Sequence, residues 1–408
     1  MMRLRSANSV LFLVLAGFGA KSALAQTLTT LYTFSGNPAT DGGEPIAQLV
    51  RDSAGNLYGT TFEGGGSCRR DHFGCGTVFK LDTANNETVL LGFPSTGKGD
   101  MPEALIRDTA GNLYGITYVG GGKNLGTVFK LGTDGKEKVL HNFQGQPLDG
   151  DHPTGTLLRD AAGNLYGTTG GGGIHDSGTV FRFHNGALTV LYNFTGNRDG
   201  AIPNGLVRDA ATGNLYGTTF SGGTGCNSPG CGVVFRLRPD GGFKVLHSFK
   251  GVDGSNPFYF GGGLLRDNAG NLYGATKQGG LSSCSGGCGV IFEVSKSGVF
   301  SVLHKFSGPD GYGPNQGLVM DAAGNLCGTA VSGGSNNTCN GGGCGVVFKL
   351  DKAGTLTVLH SFSGADGSFP AAGLVRDSSG NLYGTTFGGP GTSCGNGQGC
   401  GTVFKLTP

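Results

Sequence analysis

Three groups of residues in this 408-residue chain have types and spacing that suggest chemistry: closely paired cysteines, histidines near carboxylates, and aromatics gathered on a few loops. Ten of the eleven cysteines form close pairs: Cys68 with Cys75, Cys226 with Cys231, Cys284 with Cys288, Cys339 with Cys344, and Cys394 with Cys400. A zinc site needs about four ligands at one point. Pairs on separate repeats do not converge, so the spacing predicts five local disulfides and no metal or other cofactor. Cys327 is left over and is expected to be a buried free thiol.

His141, His247, His304 and His360 share one repeat position with Tyr32 and Tyr192, and a site copied around a ring is structural rather than catalytic. His72, His152 and His175 are unrepeated, and Asp151 adjoins His152, so these four are the candidates for acid-base work. Arg51, Arg107, Arg159, Arg208, Arg266 and Arg376 each precede an Asp (Asp52, Asp108, Asp160, Asp209, Asp267, Asp377), with Met320 before Asp321 in the remaining copy. That pattern predicts turn capping and pairing between repeats. Asp-Gly-x-x-Pro recurs at Asp41, Asp149, Asp199, Asp253, Asp310 and Asp366, with Lys98 in the seventh place. A turn is expected there, because one Asp per loop is sparse for calcium, which takes six to eight oxygens. No nucleophile elbow, phosphate loop or Ser/His/Asp set is legible.

The elements that must carry these residues are short strands. Gly-Asn-Leu-Tyr-Gly begins at Gly55, Gly111, Gly163, Gly213, Gly270 and Gly380, with Cys327 replacing Tyr in the copy from Gly324. Seven units spaced by 50 to 57 residues, each with four runs of β-branched and aromatic residues, predict an all-β, seven-bladed β-propeller of four-stranded antiparallel blades. Blade four illustrates the unit: strand A from Gly205 to Arg208, B from Asn214 to Phe220, C from Val233 to Leu237, D from Lys244 to Phe249. The chain opens with a D-type run, Leu28 to Phe34, and closes with a C-type run, Gly401 to Leu406. The first segment is therefore expected to complete the last blade and remove an exposed edge. The abundant glycines, 84 in all, are expected to be turn residues.

Residues 1–25 have the pattern of a signal peptide. Arg3 and Arg5 precede an apolar run from Val10 to Ala20, and Ala23-Leu24-Ala25 precedes Gln26. A single propeller domain is then expected over 26–408, exported to the periplasm or beyond, with no membrane insertion. Losing Arg3, Arg5 and Lys21 takes the formal net charge from +2 to −1, which leaves no basic excess for nucleic acid. A monomer is expected.

The stretch from Leu157 (Leu-Leu-Arg-Asp-Ala-Ala-Gly-Asn-Leu-Tyr-Gly-Thr-Thr), Gly-Thr-Val-Phe-Lys-Leu from Gly401, and Val-Leu-His-Ser-Phe from Val245 together resemble the GloVer tandem repeat of exported bacterial proteins. The resemblance runs from Leu28 to Leu406. The Asp-x-x-Gly-Asn-Leu-Tyr core is also similar to streptogramin lyase and related propellers, through that one motif, so no catalytic residue is carried over.

In the expected topology the long D-A and B-C loops share one face, and rigidly held loops carry binding. The residues just before the loop Pro, namely Glu44, Met101, His152, Ile202, Asn256, Gly313 and Phe369, should ring the channel mouth. Phe258, Tyr259, Phe260, Tyr312 and Phe369 add an aromatic crescent over blades five to seven. These features predict a non-catalytic binding propeller for a carbohydrate or peptide, with Asp151 and His152 as further site residues. The alternatives are a lyase or hydrolase with its site at the channel mouth, or a structural envelope component.

Overall fold

The computed structural model describes residues 26–407 apart from 38–40, 67–74, 95–98, 258–262, 316, 337, 340, 391–393 and 395–398. Residues 1–25, expected to be a signal peptide, lie outside the described residues. Seven antiparallel sheets follow one another, each ordered A-B-C-D. In blade four these strands are Ala201–Pro203 with Val207–Arg208, then Leu215–Ser221, Val233–Leu237 and Phe243–Ser248. Val, Leu, Phe and Thr fill them because such side chains pack well on a pleated surface.

The last sheet joins both ends of the propeller. Thr27–Thr33 pairs antiparallel with Thr402–Thr407, from Thr27 opposite Thr407 to Thr33 opposite Thr402. Every C-D pair carries a one-residue bulge, and the extra residue is always leucine: Leu90, Leu140, Leu191, Leu246, Leu303, Leu359 and, in the N-terminal strand, Leu31. The N-terminal strand thus reproduces a D strand down to its irregularity.

Blades meet through phenylalanine. The Phe just after each D strand meets the strand C Phe of the next blade, in seven T-shaped pairs with centroids 5.2–5.4 Å apart: Phe34–Phe79, Phe93–Phe129, Phe143–Phe181, Phe194–Phe235, Phe249–Phe292, Phe306–Phe348 and Phe362–Phe404. All fourteen rings are at most 2% exposed. Each strand C Phe lies opposite the second glycine of Gly-Asn-Leu-Tyr-Gly, as Phe79 lies opposite Gly59. A Cβ on Gly59 would stand 2.6 Å from the Phe79 ring. This corrects the expectation that the glycines are turn residues: the first of the motif is, with Gly55 at φ +97°, but the second is the floor beneath a ring.

The recurrent Asp is a turn cap, as its position implies. Asp52 Oδ1 accepts from the Asn56 N–H at 2.9 Å, and its Oδ2 accepts from Asn56 Nδ2 at 2.9 Å and Tyr58 OH at 3.1 Å. The recurrent Arg reaches the preceding blade. Arg107, Arg159 and Arg208 lie over Tyr58, Tyr114 and Tyr166, and Arg51 closes the circle over Tyr383. Arg266 instead pairs with Asp209 at 3.0 Å.

Two outcomes follow. Deleting residues 27–33 exposes the edge of Thr402–Thr407 and removes the strand that carries the chain to Phe34; the variant should aggregate or lose most of its thermal stability, and an unchanged melting curve would refute ring closure. The seven turn carboxylates also set a pH dependence. Partial burial pushes each one up, but bonds from neighbouring Asn side chains, backbone N–H groups and other turn residues outweigh burial and hold all seven below the usual carboxylate value. Because the folded value is depressed, the stabilisation is complete above the unfolded value of about 3.9 and is lost as pH falls below it. Tm should therefore drop steeply below pH ~4, and a flat acid limb would contradict this reading.

Candidate functional site

The residue before each loop Pro is the one that varies, and all seven adopt a left-handed backbone. Glu44, Met101, His152, Ile202, Asn256, Gly313 and Phe369 have φ between +51° and +64°. Each donates its N–H to a carbonyl of the previous blade's B-C loop at 2.8–3.0 Å: in the same order the acceptors are Cys400, Cys75, Leu125, Ser177, Cys231, Cys288 and Cys344. The following Pro then packs on the glycine after that acceptor; a Cβ on Gly401 would meet Pro45 Cδ at 2.5 Å, and one on Gly76 would meet Pro102 Cδ at 2.5 Å. Five of the seven acceptors are thus the second cysteine of a predicted pair. Four bridges are present, Cys226–Cys231, Cys284–Cys288, Cys339–Cys344 and Cys394–Cys400. Cys75 is also disulfide-bonded, and Cys68 lies outside the described residues. Such short loops contribute only about 2 kcal/mol each by chain entropy. Their position is more informative: they fix the carbonyl that holds the neighbouring blade's mouth residue.

The repeated histidines are accounted for. His141, His304 and His360 bond Asp149, Asp310 and Asp366 through Nε2 at 2.6, 2.8 and 2.8 Å, and His247 bonds Asp253 at 3.1 Å. Tyr32 and Tyr192 do the same to Asp41 and Asp199 at 2.9 and 3.0 Å. In the four His pairs the other Asp oxygen accepts from the loop backbone, as Asp310 does from Ser307 N–H at 2.8 Å, whereas Asp41 and Asp199 take the Tyr OH and the N–H of Ser35 or Thr195 on the same Oδ2. Where the loop has Lys98 for Asp, strand D has Leu91 for His, so the pair is lost together. These Asp-Gly turns are tied to strand D, and among the described residues no group of three His, Cys, Asp or Glu side chains is placed to hold a metal.

At the mouth, His152 Nδ1 lies 2.8 Å from Asp151 Oδ1, and its ring packs against Tyr118 with centroids 4.8 Å apart. Asp151 therefore orients the imidazole, although no described contact brings His175 to it; His175 is exposed on its own loop. His72 lies outside the described residues, as do Phe258, Tyr259 and Phe260. Tyr312 is half-buried against the cluster that contains Cys288 and Phe306, so part of its ring serves loop packing. Phe369 is half-buried at its left-handed position.

Sequence reasoning missed a second circle, the residues just beyond the strand B threonines: Phe62, Tyr118, Gly170, Phe220, Lys277, Val331 and Phe387. They back the first circle, with Phe62, Lys277 and Phe387 donating N–H to the carbonyls of Glu44, Asn256 and Phe369 at 3.0–3.1 Å. Four of these seven are half-buried aromatics. Their common distance from Gly-Asn-Leu-Tyr-Gly was the available signal. Two carboxyls share the blade-one sector: burial, then the charge of Glu63, pushes Glu44 up to about 8. Burial also lowers the Lys277 ammonium in blade five.

The profile of the Gloeobacter/Verrucomicrobia repeat matches residues 18–228 and 224–408. The chain belongs to this repeat family. No curated protein is matched in sequence. Among solved structures, virginiamycin B lyase from Staphylococcus aureus is similar at 12% identity, covering 94% of this chain and 99% of that one, with a TM-score of 0.61. A structure described as the extracellular domain of a hybrid two-component system from B. thetaiotaomicron is similar at 12% identity and a TM-score of 0.58, covering 93% of this chain and 39% of that one. At such identities the likeness is one of fold. Among the seven copies in this chain, then, the shared positions build blades and the left-handed position is one where copies differ.

A left-handed β-branched residue is strained by about 1–2 kcal/mol, because its Cβ crowds the backbone. Ile202, with φ +54°, is the sharpest case. Ile202→Asn should raise thermal stability or leave it unchanged despite the lost methyl groups, as Asn tolerates this conformation. A loss of more than about 1 kcal/mol in denaturant melts would show that the side chain, not the strained backbone, dominates there.

Proposed function

We propose that the protein is an exported binding propeller whose D-A and B-C face takes a carbohydrate. The observation behind this is the double circle of unlike residues at the mouth, held on locked backbone and supplied with half-exposed rings at Phe62, Tyr118, Phe220, Phe369 and Phe387. Aromatic faces suit sugars because stacked C–H groups meet an apolar surface while hydroxyls stay wet. The left-handed lock and the neighbouring disulfides reduce the ordering cost that loops otherwise bring to recognition. Export agrees with the leader-like residues 1–25 and with the formed disulfides, which persist in oxidising compartments.

A second reading is favoured by one contact, the Asp151–His152 pair at 2.8 Å, which orients an imidazole as a general base requires. On that reading the mouth turns a substrate over.

A glycan screen on mature protein, followed by calorimetry on the best ligand, separates the two. Phe387→Ala and Tyr118→Ala should each weaken binding about tenfold or more, equivalent to ~1.4 kcal/mol, with little change in Tm. Asp151→Asn should leave binding nearly intact. Full binding in both aromatic variants would overturn the proposal, and substrate turnover abolished by Asp151→Asn would establish the enzyme in its place.

A further inference from the structure

On the face opposite the mouth, where the A-B and C-D turns lie, blades three and four part in a cleft of about 320 Å³, room for one small organic ring with a substituent. Three arginines line it from three segments: Arg182 in strand C of blade three (Thr179–His184), Arg208 at the end of strand A of blade four, and Arg238 in the C-D turn of blade four. Asp240 is the one carboxylate among the lining residues, so the lining has a formal excess of two positive charges.

Part of this arrangement recurs around the ring. Arg208 lies over Tyr166 as Arg107 lies over Tyr58. Like Arg51, Arg107 and Arg159, it has no carboxylate at ion-pair distance among the described residues, which is the ordinary build of the interface. The other two arginines are departures. At the place of Arg182 the other blades hold Lys80, Lys130, Arg236, Glu293, Lys349 and Lys405, and at the place of Arg238 they hold Asp82, Gly132, His184, Ser295, Asp351 and Thr407. Only between blades three and four are all three places arginine. The A-B turn of blade four, Asp209 to Gly213, is also one residue longer than the others, and Pro239 packs on it, where a Cβ on Gly213 would stand 3.0 Å from Pro239 Cγ. The matching cleft between blades five and six has the opposite sign: Asp267, Glu293 and Asp351 line it with Lys352, and Met320 stands where the arginine would be. The ring makes the cleft, and departures from the repeat set its charge.

The guanidiniums are accessible. Arg182 and Arg208 are half-buried, and the side chain of Arg238 is 51% exposed. In Arg182 and Arg208 the Nε is buried, as in Arg51 and Arg107, but the terminal nitrogens are not. Arg238 pairs with Asp240 at 2.9 Å, an exposed pair of small energetic worth. Asp160, which accepts from Tyr166 OH at 3.1 Å, lies near enough to Arg208 to feel its charge. Arg182 has no carboxylate at ion-pair distance among the described residues. Beside these charges the wall is apolar, with half-buried Val190 and Leu191 from strand D of blade three (Ala187–Asn193) and exposed Pro239.

We propose that this cleft is a second binding site, for a phosphate monoester on a small apolar ring or chain. Guanidinium forks pair bidentately with phosphate oxygens. Three of them, from three segments, suit a tetrahedral group with three terminal oxygens better than a planar carboxylate with two. The monoester's charge of about −1.5 to −2 at pH 7 also offsets the formal excess of the lining. Val190, Leu191 and Pro239 meet the apolar part. Asp240 opposes the anion and competes with it for Arg238. The site is on the other face from the mouth circles and does not depend on what binds there.

Phenyl phosphate, titrated calorimetrically into mature protein at low ionic strength, tests this, with benzoate, phenol and inorganic phosphate as comparisons. Phenyl phosphate should bind once per chain, benzoate about tenfold or more weakly, inorganic phosphate about threefold or more weakly, and phenol not measurably. Affinity should fall with added salt, which screens the arginines, and as pH is lowered through about 6, where the monoester takes up its second proton. Arg182→Gln and Arg238→Ser should each lose about tenfold or more, with glycan binding at the mouth unchanged. The ring already accepts serine at the second of these places, as Ser295. Asp240→Asn should tighten binding about twofold or more, which a merely structural Arg238–Asp240 pair would not produce. No binding at millimolar concentration, benzoate or inorganic phosphate as tight as phenyl phosphate (an adventitious ion only), or full binding in Arg238→Ser would overturn the proposal. If Arg182→Gln failed to fold, Arg238→Ser and Asp240→Asn, both at exposed side chains, would still decide it.

Discussion

The T-shaped meeting of one phenylalanine with the next, over a glycine with no side chain, is the contact on which the ring depends. Each blade buries one face against each neighbour, so blades that failed to interlock would leave large apolar surfaces in water. An aromatic pair contributes about 0.5–1.5 kcal/mol beyond its area burial. Seven of them come to roughly 4–10 kcal/mol, comparable with the net stability of an ordinary domain. The glycine is inseparable from this, because any Cβ at Gly59 or its six counterparts would push the ring out of its seat. Closure depends on the same contact: Phe34, from the N-terminal strand, meets Phe79 of blade one as every other D-strand Phe meets its neighbour.

Nearer the axis the blades are registered by backbone rather than by rings. A left-handed residue gives its N–H to the previous blade, and the Pro after it presses on that blade's glycine. The strain of six non-glycine left-handed residues is repaid only if the neighbouring carbonyl stays in place. That explains where the disulfides lie. Blades with bridges hold the carbonyl covalently, while blades two and three, which have no cysteines, use Leu125 and Ser177 on shorter B-C loops. Mouth rigidity and blade registration are thus one constraint, and side-chain identity at the left-handed position is released from it.

Much of this was legible from the sequence because the repeat exposes it. Six copies of Gly-Asn-Leu-Tyr-Gly and a seventh with Cys for Tyr, a D-type run at the start and a C-type run at the end fixed blade number and closure, since a strand pattern of period two leaves few other pairings. Cysteine spacing likewise pointed to the local bridges. The seven positions before the loop Pro were singled out by their variation, but their left-handed conformation was not foreseen, because Ile202, Met101 and Phe369 are residues that avoid it. Tertiary hydrogen bonds impose that conformation, and no local signal reports them. The role of the second motif glycine was misread for a similar reason: it is set by a ring on the adjacent strand. The second mouth circle depends on which residues meet across blades, which a sequence repeat does not reveal.

In a molecule of seven near-copies, a feature present in every blade serves the ring, and departures are where other roles can enter. Some departures are mutual and therefore structural. Leu91 and Lys98 leave the His–Asp tie together. Blade six lacks both halves of the Arg–Tyr contact, with Met320 where an Arg would reach Tyr273 and Cys327 where a Tyr would receive Arg376. Burial and nearby Asp321 push the Cys327 thiol up to about 11, so it is a packing residue and not a nucleophile. Glu103 differs from these. Beside it strand B holds Ile116 in place of the hydroxyl that Thr60 and Thr385 offer to a neighbouring Pro carbonyl. This departure removes a hydrogen-bonding group where a carboxyl is buried, and burial pushes that carboxyl up, which favours the neutral form and lowers the cost of leaving it without a partner.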